Sequence, residues 1–141
     1  MLDSHPDWFK EALSVNKEQR RIEVEGNFIS YQHWGDETKP GMVLVHGSGS
    51  HSHWWDFIAP LLLDNFQISA IDLSGMGDSD HRDDYSPELY GKEILSVAED
   101  SGFFSVGEPI ICCLLYKPPN MPSHLYLRLI YLKVLYRMLQ L

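Results

Sequence analysis

Three stretches of the 141-residue chain carry side chains able to do chemistry: residues 46–56, residues 72–79, and the adjacent thiols Cys112 and Cys113. The first runs His46-Gly47-Ser48-Gly49-Ser50-His51-Ser52-His53-Trp54-Trp55-Asp56. Gly47 and Gly49 permit a tight turn, and backbone N–H groups exposed at such a turn can face an anion or a developing oxyanion. The same stretch admits two other readings. His46, His51 and His53 with Asp56 could ligate a metal, but the further ligands such a site needs are not apparent, so no metal is expected. Gly47 to Ser52 after a strand imitates a dinucleotide fingerprint, yet Ser52 stands where its third glycine should be, and bulky Trp54-Trp55 follows. At Cys112 and Cys113, a reactive thiolate would need a nearby base or helix N-terminus; Leu114-Leu115-Tyr116 offers neither, which favours inert buried thiols.

The elements that would hold these residues are legible from periodicity. Met42 to Val45 is a short apolar run after Pro40-Gly41, the pattern of a strand buried on both faces. Trp54, Trp55, Phe57, Ile58, Leu61 and Leu62 predict a helix over 53–63, and Phe66 to Ile71 a second buried strand. Ser86-Pro87-Glu88 is a strong helix start, its apolar side formed by Leu89, Ile94, Leu95, Val97 and Ala98 up to Gly102. Pro109 to Leu115 predicts a third strand. Upstream, Ser4-His5-Pro6-Asp7 reads as a helix start with Ser4 capping. Alternation over 21–25 and 28–34 around Gly26-Asn27 reads as a β-hairpin. The whole predicts an α/β domain: a leading hairpin, then parallel strands joined by crossover helices. Asp78, Asp80, Asp83 and Asp84 read as a solvated acidic loop, lacking the spacing of a calcium loop.

Composition narrows the classes. A net charge of −9 and a pI near 5.1 exclude a nucleic-acid surface. No basic leader followed by an apolar core opens the chain, and the two cysteines are adjacent and so poorly placed to bridge, which together predict a reducing, cytoplasmic setting. The charge is unevenly spread. All 20 acidic residues lie at or before Glu108, whereas residues 117–141 hold 4 lysines and arginines and no acid. Lys117-Pro118-Pro119-Asn120-Met121-Pro122 interrupts regular structure, and residues 123–141 are dense in leucine and tyrosine. That segment could lie on a partner or a membrane surface, although its charges gather on no clean helical face and a membrane is disfavoured.

His46-Gly47-Ser48-Gly49 after a strand, the Trp54-Trp55 segment, the Asp72-Leu73-Ser74-Gly75-Met76-Gly77-Asp78-Ser79 turn and a helix leading to Pro109-Ile110-Ile111-Cys112 together resemble the α/β-hydrolase superfamily. The branch is that of esterases, epoxide hydrolases, dehalogenases and carbon–carbon hydrolases. The resemblance covers about residues 5–113, the N-terminal half of such a domain. It implies an oxyanion loop at Gly47, Ser48 and Gly49 with the Ser48 N–H as donor, a bracing role for His46 and Asp72, and Trp54 and Trp55, first read as core, as candidates for a pocket wall. It implies a small-molecule ester or related substrate in the full-length relative, a serine-type covalent mechanism and no cofactor.

The chain departs from the family after Ile110-Ile111-Cys112, where Gly-x-Ser-x-Gly is expected and Cys113-Leu114-Leu115-Tyr116-Lys117 stands instead. The departure coincides with the break in charge. The expectation is therefore a partial α/β-hydrolase domain over 1–113, truncated, followed by a divergent apolar and basic tail over 114–141. With the nucleophile, triad acid and triad histidine missing, the chain is expected to be inactive. Its unfinished sheet edge is expected to favour self-association.

Overall fold

The computed structural model describes residues 4–113; the tail over 114–141, with the partner and membrane readings placed on it, lies outside the described residues. The chain begins with helix α1 (Asp7–Ser14). Pro6 occupies its cap position and accepts from Phe9 N–H and Lys10 N–H, so the helix starts later than a Ser4 cap would set it. α1 lies on the outside of the domain: Ala12 is buried, Trp8 and Leu13 are exposed, and Phe9 packs on Phe57.

Strands β1 (Glu18–Val24) and β2 (Asn27–Trp34) form the expected hairpin, paired from Glu18↔His33 to Val24↔Asn27. The turn sits one position earlier than Gly26-Asn27. Glu25 and Gly26 are its central residues, both left-handed (φ 48° and 80°), as a two-residue turn matching the strand twist requires. Asn27 is freed to pair with Val24 and to donate from Nδ2 to the His81 carbonyl.

Strands β3 (Gly41–Val45), β4 (Gln67–Ile71) and β5 (Ile110–Cys113) complete a five-stranded sheet in the order β1-β2-β4-β3-β5. β3 is parallel to both β4 and β5, and β2 meets β4 antiparallel. All five residues of β4 and four of the five of β3 are buried, the result of layers on both faces of the sheet. On one face Val43, Val45, Ile29, Tyr31 and Ile71 pack under Ile94, Val97 and Ala98 of helix α2 (Pro87–Asp100). On the other, Leu44, Trp34, Ile68 and Ala70 pack with Trp55 and Ala59.

α2 forms as its sequence dictates. The Ser86 hydroxyl accepts from Leu89 N–H (3.1 Å), Pro87 opens the helix, and the left-handed Gly102 follows its end. The β3–β4 crossover corrects the expectation of a helix over 53–63. It consists of two 3₁₀ turns, Ser52–Trp55 and Ala59–Leu62, with bonds from Trp54 N–H to His51 O, Asp56 N–H to His53 O and Leu61 N–H to Ile58 O. Pro60 has no N–H to continue an α-helix and instead opens the second turn. No helix among the described residues is long and apolar enough to cross a membrane.

Candidate functional site: the turn after strand β3

β3 ends at Val45 and the chain enters a turn at His46–His51. Ser50 N–H donates to Gly47 O (3.1 Å), and Gly49 takes the left-handed conformation (φ 73°) with nothing within 4 Å of where its Cβ would lie. Ser48 and Gly49 are exposed. Among the described residues no hydrogen bond is accepted from Ser48 N–H, and Ser48 lies just past the carboxyl end of the parallel strand β3.

Buried polar groups hold the turn from below. His46 is 1 % exposed; its Nδ1 lies 2.8 Å from Gly47 O, and its Nε2 accepts from Leu73 N–H (3.1 Å) at the end of β4. Burial pushes its pKa below the ordinary imidazole value of 6.5, which keeps the ring neutral and able to accept. Asp72, equally buried, accepts from Ser52 N–H (2.6 Å) through Oδ1 and from Asp78 N–H (3.0 Å) through Oδ2. Its carboxylate therefore joins the turn after β3 to the turn after β4, and Gly77 is what lets it fit: a Cβ there would stand 2.3 Å from Asp72 Cγ. From β2, Gln32 Nε2 donates to Ser52 Oγ (2.9 Å). Ser52 is thus fixed by both its backbone and its side chain.

The other residues singled out in the sequence are dispersed. His51 and His53 are exposed, their rings in edge contact, and His53 pairs with Asp56 (2.9 Å), which also meets Lys17 (2.7 Å). Among the described residues no three His, Cys, Asp or Glu come together as metal ligands. Ser52 N–H, already taken by Asp72, begins a turn of four residues rather than the helix that a dinucleotide pyrophosphate would need. Of the two tryptophans, Trp55 is packed into the core and Trp54 is half-exposed beside Phe57. Cys112 is a free, exposed thiol on β5 rather than a buried one.

Gln32, Arg82 and Glu93 went unremarked in the sequence. Arg82 Nε donates to Glu93 Oε1 (3.0 Å), Nη1 to Asn27 Oδ1 (2.9 Å) and Nη2 to Val24 O (2.6 Å), while Glu93 Oε2 accepts from Ser74 N–H (3.0 Å). The expected solvated loop is therefore pinned at Arg82, and also at Asp80, which accepts from Phe28 N–H and donates its own N–H to Phe28 O. A signal existed: Arg82 is the one lysine or arginine between Lys39 and Lys92, and Glu93 falls on the helix face of Val97, four residues on. An open polar cleft of about 420 Å³ borders Arg82, Tyr85 and Ser86 and shares no lining residue with the Ser48 turn.

Comparison with known proteins agrees with this architecture. Over 56 residues the chain is 39% identical to a pimeloyl-[acyl-carrier protein] methyl ester esterase of Methylococcus capsulatus, covering 40% of this chain and 22% of the relative. Over 73 residues it is 36% identical to a haloalkane dehalogenase of Sphingobium indicum, covering 52% and 24%. The chain thus spans about a quarter of the length of these curated relatives. The structure of epoxide hydrolase A from Mycobacterium thermoresistibile superposes with a TM-score of 0.62 at 20% identity, covering 70% of this chain and 31% of that one, and shows the shared fold. Residues 42–112, half of the chain and the part that holds the Ser48 turn, match the alpha/beta hydrolase family, and the chain belongs to it.

Proposed function

We propose that this chain carries the oxyanion-loop part of a serine-type α/β hydrolase of small esters or related substrates, and lacks the groups needed to use it. The observation that supports this is the N–H of the exposed residue Ser48, without an acceptor among the described residues and set on a turn braced by His46, Asp72 and Gln32. A fixed backbone donor of this kind suits a carbonyl oxygen that gains negative charge on attack. The relatives named as esterase, dehalogenase and epoxide hydrolase support the hydrolytic class. The attacking group is what the chain does not supply. β5 runs into Leu114-Leu115-Tyr116-Lys117, with no Gly-x-Ser-x-Gly, and residues 1–113 correspond to the N-terminal half of the family domain with residues 114–141 as a divergent tail.

Purified full-length chain is expected to hydrolyse p-nitrophenyl acetate no faster than buffer containing an equal concentration of free imidazole, and to take up no serine-directed fluorophosphonate. Saturable turnover, abolished by the fluorophosphonate, would overturn the inactive reading and leave the family assignment intact.

A further inference from the structure

We propose that His46 is an acid-operated latch: protonating its imidazole releases Leu73 N–H and undoes one of the two ties between the turn after β3 and the end of β4, leaving the Asp72–Ser52 bond as the other. The two hydrogen bonds of the ring fix its form. Gly47 O can only accept, so Nδ1 carries the proton; Leu73 N–H can only donate, so Nε2 is bare. An imidazolium would set one N–H against another inside a site that is 1 % exposed. The latch does not depend on whether the turn ever holds an oxyanion.

The surrounding charges leave this balance in place. Asp72, at the end of β4, favours the cation, but its carboxylate is committed to Ser52 N–H and Asp78 N–H. His51, within the turn, disfavours it. Glu93, from α2, reaches the neighbouring Ser74 N–H with its charge balanced by Arg82. Burial outweighs these, and the folded pKa lies below the ordinary imidazole value. The sign follows. In the window below pH 6.5 the unfolded or released ring binds a proton that the latched ring does not, so acid favours release, and the effect is absent above 6.5. His33 shares the lowered pKa, chiefly through burial, but contacts Ser69 Oγ on the α2 side of the sheet, so location separates the two histidines.

The test is amide exchange by NMR on the full chain between about pH 7 and about pH 5, corrected for intrinsic rates, with the His46 ring titrated in parallel. Leu73 protection should be lost relative to that of Ala70 of β4 as the pH falls, with the midpoint of the His46 titration. His46→Gln, whose amide oxygen accepts from Leu73 without titrating, should hold the ratio constant, and His33→Gln should retain the fall. If His46→Gln does not fold, agreement of the two midpoints in the native chain decides. Leu73 staying protected throughout, Leu73 and Ala70 losing protection together, or His46→Gln showing the same acid loss would each overturn the latch.

Discussion

Asp72 receives N–H groups from two different turns, and the room it needs comes from the absence of a side chain at Gly77. This separates two kinds of glycine. Gly77→Ala meets both a left-handed backbone (φ 54°) and the Asp72 carboxylate, and is expected to lower stability by about 2–4 kcal/mol. Gly49→Ala meets the left-handed backbone (φ 73°) in open space and should cost only about 1 kcal/mol. Urea midpoints of the two variants, measured side by side, check the difference. Asp72 and the Gly77 turn stood out in the sequence because a carboxylate followed by spaced glycines is a local pattern. Gln32 and Leu73 did not, since their partners Ser52 and His46 lie far along the chain and nothing local marks a residue as a distant donor.

α2 is held in place by apolar packing and by one buried ion pair. Arg82 and Glu93 have side chains 7 % and 0 % exposed, and they tie the loop before α2 to the hairpin and to Ser74. Arg82→Met leaves the Glu93 carboxylate buried without its counter-charge and is expected to cost about 3–5 kcal/mol. The double variant Arg82→Met/Glu93→Leu should recover part of that loss, a comparison that thermal or urea unfolding reads directly. The strands and the Ser86-capped α2 were legible because period, cap and proline agree there. The β3–β4 crossover was misread because consecutive 3₁₀ turns bury residues at spacings close to those of an α-helix, and Pro60 serves equally as the opening of a new turn. The hairpin turn slipped by one position because Gly26 suits either place in a two-residue loop, and a left-handed Glu25 has no sequence mark.

Among the described residues the sheet ends in two edge strands, β1 and β5. β1 ends it at the hairpin, whereas β5 pairs with β3 and, among the described residues, with nothing beyond, and its Ile110 is 46 % exposed. A parallel edge with no further strand among the described residues offers unpaired backbone groups to another chain. The full chain is therefore expected to associate as its concentration rises, and Ile110→Lys, a charge on that edge, should shift sedimentation profiles towards the monomer. A sedimentation coefficient unchanged by concentration would count against edge pairing. The β3–β5 pairing has a further consequence, in the order of assembly. The β1–β2 hairpin closes over two residues and can form early, while Met42 meets Ile110 only after the whole β4–α2 segment has been gathered between them. β5, within which the family match ends at residue 112, is thus expected to join last, so everything that positions Ser48 can be in place before β5 docks.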